Sequence, residues 1–213
     1  MMRAVRVAAV PVTRSAITLL ALLRCLIRAM DWAPLAVAGA LAVLLAWQAG
    51  TGELFTLLRM LGVLLGAAAG FAVADEMGAT LGATPVPRWL RQWLRAGLGG
   101  LTAMALWSTA CLIAASRVPT LRVPGMAAEA ATCIALGLLA AAIAGRFHHG
   151  RVSGMAGLGG LLAIVSITLA LRGPYWPWLY PQEANWEIVH VGWTVALLAA
   201  LTALGWANRD LRT

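Results

Sequence analysis

Six stretches of the chain carry almost no charge: Ala33–Ala49, Leu54–Ala74, Gly97–Ala115, Met126–Gly145, Met155–Leu171 and Val189–Trp206. A helix needs about 20 predominantly apolar residues to cross the hydrocarbon of a bilayer, with about 17 as a lower limit. Backbone polar groups in lipid must be satisfied within the segment, so such runs fold as helices. The composition agrees, with 62% of residues apolar and 11% charged, where a soluble domain has about 45–50% and about 25%. The expected fold is all-α: a polytopic membrane protein with six transmembrane helices over residues 32–213. No connection between the runs is long enough for a soluble domain.

The 16 basic residues are all arginine and outnumber 8 acidic ones, for a net charge of +8. Arginines that flank membrane spans make any multi-span chain basic, so no nucleic-acid partner is expected. The absence of lysine, with abundant alanine and glycine, suggests a high-GC bacterial genome and so a bacterial plasma membrane. The positive-inside rule orients the chain. With the N-terminus inside, twelve arginines are cytoplasmic: 3, 6, 14, 24, 28, 88, 91, 95, 146, 151, 209 and 212. Only Arg117, Arg122 and Arg172 fall outside. Six spans then place both termini in the cytoplasm.

Residues 1–31 hold five arginines. On one helix they would fall within an arc of roughly 80°, and Arg14, Arg24 and Arg28 share a face even if Pro11 breaks the register. Ile17, Leu19, Leu20, Leu22, Leu23 and Leu26 lie opposite. This predicts an amphipathic interfacial helix over 1–31, with a plain extension of the first span as the alternative. "SAITLLALL" is long enough for a signal core, but "RCLIRAMDW" stands where a small-residue cleavage site would be, so a cleavable signal peptide is not expected. Cys25, Cys111 and Cys133 match no metal or redox spacing and are expected to be buried, inert thiols.

Between the second and third runs the chain reads "ADEMGATLGATPVPRWLRQWLRAGLGG". Asp75 and Glu76 are its only adjacent acidic pair, in a polar segment suited either to docking a soluble partner or to a solvated loop. Pro85 and Pro87 cannot continue a helix arriving from upstream, so a new one must start after them. Trp89, Leu90, Trp93 and Leu94 fall on one face of it, and Arg88, Arg91, Gln92 and Arg95 on the other. Tryptophan favours the headgroup level, and arginine meets lipid phosphate there. The stretch therefore reads as an interfacial helix that turns into the third span at Gly97.

The order of these features resembles the small permease subunits of type-2 ABC exporters, as found in actinobacteria. These have an amphipathic N-terminal helix, six spans and a cytoplasmic loop between the second and third. "ADEMGATLGATPVPRWLRQWLR" resembles the family's coupling loop and its arginine-rich helix, and "GWANRDLRT" resembles its short basic tail. The resemblance implies a dimer of permease subunits, alike or different, bound to separate ATPase subunits, with membrane lipid around it. ATP would be used by the partner; no cofactor binds this chain directly. Asp75, Glu76, Thr80 and Thr84 would touch the ATPase, and Arg88, Trp89, Arg91, Trp93 and Arg95 would carry its movement into the third span. The substrate is left open, with peptides and drug-like compounds as the candidate classes. A non-transporting anchor or assembly subunit is the alternative function.

Three further features bear on such a role. Gly62, Gly66 and Gly70 follow one another at four-residue steps, which lets helices approach closely, within one subunit or between two. Arg59 and Glu129 are the charges expected inside spans, near their outer ends. There they would snorkel, pair with each other or flank an outer gate. The last outer loop, "RGPYWPWLYPQEANWEIVH", holds Tyr175, Trp176, Trp178, Tyr180 and Trp186 among Pro174, Pro177 and Pro181. The resemblance implies short re-entrant helices there that close the path from outside; a simple aromatic belt is the other reading.

Catalytic readings are weaker. The chain has no GxxxxGK[ST] phosphate loop. "GRVSG" with His190 hints at a serine–histidine dyad, but Ser153 and His190 belong to opposite membrane faces, roughly 30 Å apart. His148 and His149 are adjacent, which suits a shared metal poorly. No enzyme activity and no metal are expected.

Overall fold

A computed structural model of the protein describes residues 23–74, 87–148 and 150–209. Among them are seven helices and no strand: α1 (Leu23–Ala29), α2 (Ala33–Gln48), α3 (Leu54–Val73), α4 (Arg88–Arg117), α5 (Val123–Ala144), α6 (Arg151–Ala170) and α7 (Trp186–Ala207). Helices α3 to α7 are long and apolar enough to cross a membrane. The sixth expected span is qualified. With 16 residues, α2 rises only about 24 Å, short of the roughly 30 Å of hydrocarbon. It counts as a span only together with α1, from which it is bent by 78°.

The bend has local causes. Pro34 sits in the first turn of α2 and cannot accept an incoming helix. Asp31 Oδ1 accepts the Ala33 N–H at 3.2 Å, and the Trp32 indole donates to the Ile27 carbonyl at 2.5 Å. On α1, Arg24 and Arg28 are exposed while Leu26 is buried. The described part of the N-terminal segment is thus two-faced; residues 1–22 lie outside the described residues. Cys25 is exposed, contrary to expectation, whereas Cys111 and Cys133 are buried.

The arginine–tryptophan stretch and the third span form one helix, α4, which runs unbroken for 30 residues. Gly97, Gly99 and Gly100 each cost a helix interior about 1 kcal/mol, but no proline stands between Arg88 and Arg117 to stop it.

At the centre stand α3 and α5. The first packs against α2, α4, α5 and α6, and the second against α3, α4, α6 and α7. Their seam is set by glycine. A Cβ at Gly66 would lie 2.5 Å from the Cys133 carbonyl oxygen, and one at Gly137 would collide with the Gly66 backbone. Gly62 and Gly70 face Ala130 and Gly137 of the same seam. The 62–66–70 stripe is therefore consumed inside the subunit. All three glycines are buried against their own chain, as packing within one subunit requires.

The helices alternate, so the bundle has two distinct ends. Arg88, Arg146 and Arg151 mark one, here the arginine-rich end. The segment 172–185 marks the other, the aromatic end.

Candidate functional site

Helices α3, α5 and α7 all begin at the aromatic end, and each brings one polar side chain inward within its first two turns. These are Arg59, Glu129 and His190, all buried. Such groups are costly in a membrane interior and persist only with partners. Here the partners are one another. Arg59 Nε and Nη2 donate to the two Glu129 oxygens at 2.8 and 2.7 Å. His190 Nε2 lies 2.8 Å from Glu129 Oε1.

The rest of the guanidinium is directed at the connecting segment. Nη1 donates to the Trp178 carbonyl at 2.6 Å and Nη2 to the Leu179 carbonyl at 2.5 Å. Four of the five N–H donors of the fork are thereby used. The cation also lies 4.3 Å from the centre of the Phe55 ring, within the range of a cation–π contact. Arg59 thus does two things at once. It neutralises a buried carboxylate, and it pins two backbone carbonyls of a segment that carries no regular structure of its own.

The His190 ring spans two oxygen partners: its Nδ1 is 2.7 Å from the Trp186 carbonyl, and its Nε2 faces Glu129 Oε1. The Trp186 ring stacks on the imidazole with centroids 3.7 Å apart.

The segment 172–185 forms successive turns without a helix, so the re-entrant helices implied by resemblance are not formed. Three prolines forbid them. Nor is it a plain belt. Trp178 and Leu179 are buried, and the Trp178 indole donates to Thr168 Oγ1 at 3.0 Å. Trp176 is half-buried and donates to the Thr168 carbonyl at 3.2 Å. Tyr175 is exposed and makes no part of the Arg59 cluster.

The pairing of Arg59 with Glu129 agrees with the sequence. The third member did not come from it. The available signal was the spacing Trp186, His190, Trp193, which puts a lone histidine on an otherwise apolar face. Ser153 opens α6 at the arginine-rich end, with its hydroxyl donating to the Gly150 carbonyl at 2.8 Å, so it and His190 are at opposite ends. Among the described residues no group of three or more His, Cys, Asp or Glu gathers to hold a metal. His149 lies outside the described residues.

At the arginine-rich end, Trp89 and Trp93 are exposed while Gln92 and Arg95 are buried. The two faces of the helix are as expected, but the polar one packs on protein instead of water. Arg95 Nη1 donates to the Ala74 carbonyl at 2.9 Å, and Arg88 Nη2 to the Gly145 carbonyl at 3.1 Å. Arg91 is half-buried. Asp75, Glu76, Thr80 and Thr84 lie outside the described residues. Comparison with known protein families, with curated proteins and with solved structures finds no match to this chain in any of the three.

Proposed function

We propose that the chain is the permease subunit of an ATP-driven exporter in a bacterial plasma membrane, powered by a separate ATPase subunit. One observation carries the reading. Ala74, where α3 ends, and Arg95, about two turns into α4, are joined by a buried hydrogen bond. The end of α3 and the first turns of α4 are therefore tied to each other. A partner that pushes on residues 75–86 would move α3 and α4 together. At the far end the Arg59 cluster holds segment 172–185 across the helix ends, which suits a gate. The outward direction of transport rests on the resemblance to exporter permeases, and the arginine distribution supports a cytoplasmic position for both termini and residues 75–86.

A second reading, a non-transporting anchor subunit, is favoured by the interior of the bundle, where alanine and leucine fill the core. In a permease, a path would then run between two copies.

Affinity purification from the native membrane separates the two. The tagged full chain should bring down a P-loop ATPase, and alone should turn over no ATP. Recovery without an ATPase overturns the exporter reading. Asp75→Lys with Glu76→Lys should cut recovery of the ATPase at least fivefold, because it reverses two charges on the docking segment. Normal recovery would move the docking surface to the loop at His148–Arg151.

A further inference from the structure

Helices α6 and α7 both pack on α5, but their backbones do not come together. The gap between them is a cavity of about 480 Å³ at the aromatic end. Leu136 of α5 forms its floor, Ile164 and Ile188 stand on its two walls, and Trp178 closes its top. Ile164 and Ile188 are exposed, on outward faces that also carry Ile167, Val191 and Val195. The cavity therefore opens sideways, toward the hydrocarbon.

Its polar atoms are already used. The Trp178 indole donates to Thr168 Oγ1, which itself donates to the Val165 carbonyl at 2.8 Å. The Trp193 indole donates to the Pro177 carbonyl at 2.8 Å. The Thr132 hydroxyl lies between the Ala128 and Trp193 carbonyls. A polar ligand entering here would give up its bonds to water without replacement. An alkyl chain, slender and without polar atoms of its own, fits such a cleft and leaves no polar group unpaired.

The segment that follows α6, which supplies Tyr175, Pro177 and Trp178 to the lining, also carries a cation. Arg172, two residues beyond α6, is exposed, with its guanidinium 4.2 Å over the Trp176 ring. It pairs with no carboxylate among the described residues. Tyr175 is exposed beside it and borders the cavity. Arginine and tyrosine at this level suit a lipid phosphate. We propose that the cleft between α6 and α7 is a phospholipid site, which takes an acyl chain between the helices and an anionic headgroup at Arg172. This does not depend on the exporter reading.

Native mass spectrometry of the full chain released from micelles tests it, with phosphatidylglycerol and phosphatidylcholine of identical chains as probes. One lipid adduct should dominate, with phosphatidylglycerol preferred. Gly192 borders the cavity, and a Cβ there would meet nothing within 4 Å. Gly192→Trp should therefore obstruct the cleft without a clash and lower the adduct at least fivefold. Ile164→Trp obstructs it from the other wall and should do the same. Leu198→Trp, exposed on α7 away from the cavity, should leave the adduct unchanged. Arg172→Gln should reduce the preference for phosphatidylglycerol while keeping the adduct. No adduct on the wild-type chain, or an adduct indifferent to both obstructions, overturns the proposal. So does loss of a dimer in place of a lipid, which would make a second copy the occupant.

Discussion

Among the described residues two arginines are buried, Arg59 and Arg95, and they are held in different ways. Arg59, at the aromatic end, faces a carboxylate, an imidazole beyond it and two carbonyls of an irregular segment. Arg95, at the other end, donates to the carbonyl of Ala74, the residue that caps the C-terminus of α3. The second pattern recurs. Arg117 donates to Ala46 and Trp47 at the end of α2, Arg88 to Gly145 at the end of α5, and Arg146 to Trp206 and Ala207 at the end of α7. The last carbonyls of a helix lack intrahelical partners and carry partial negative charge. Four helix C-termini are thus met by an arginine from elsewhere in the chain. The contrast is between an ion pair, whose acceptor is a side chain that substitution can remove, and caps, whose acceptors are backbone carbonyls at helix ends.

The comparison also changes how the arginine distribution is read. Three of the capped termini, those of α3, α5 and α7, lie at the same end, because alternating helices finish there. Part of the arginine excess that orients the chain therefore has a structural use as well as a topological one.

The largest expected effect comes from breaking the ion pair on one side only. Glu129→Leu leaves a buried guanidinium without its counter-charge, which costs about 3–5 kcal/mol in comparable sites. The melting temperature of the purified chain in micelles should fall sharply. Adding Arg59→Met removes the orphaned charge, so the double variant should recover much of the loss. Two single losses that simply add would mean Arg59 and Glu129 are not coupled, and the view of them as an ion pair would fail.

Arg95→Met should have a smaller effect. It removes a charge-assisted bond to the Ala74 carbonyl, worth about 1.5–3 kcal/mol. If Arg95→Met matches Glu129→Leu in cost, the distinction between cap and ion pair collapses.

How far was this legible beforehand? The six apolar runs coincide with α2 to α7 to within a few residues, because lipid imposes both helix and length. Deviations sit where polar residues extend a helix past its apolar part: α6 begins at Arg151 instead of Met155, and α4 at Arg88. Hydropathy marks where lipid begins, not where hydrogen bonding stops. Arg59 and Glu129 stood out because a charge in an apolar run is conspicuous. His190 did not, since it lies near a loop rich in polar residues, and only the three-dimensional convergence of α5 and α7 brings it to Glu129. The arginine caps were illegible for a similar reason. Their acceptors are carbonyls, which every residue has.

The smallest effect belongs to a pair that holds every variable but depth constant. Arg122, just before α5, and Glu187, in the first turn of α7, meet at 3.0 Å. They join the same two helices, at the same end, as Glu129 and His190 do, but their side chains are 48% and 82% exposed. In water the attraction is weak, holding two long side chains costs entropy, and salt screens what is left. Arg122→Gln with Glu187→Gln should therefore shift stability by less than about 1 kcal/mol. Raising the salt should shrink even that, while the Glu129→Leu penalty should hardly respond. The measurement is the same melting curve at low and high ionic strength. If the exposed pair cost as much as the buried one, the strength of the aromatic end would lie in the α5–α7 contact itself. The dry, caged position of Arg59 would then not be what sets it apart.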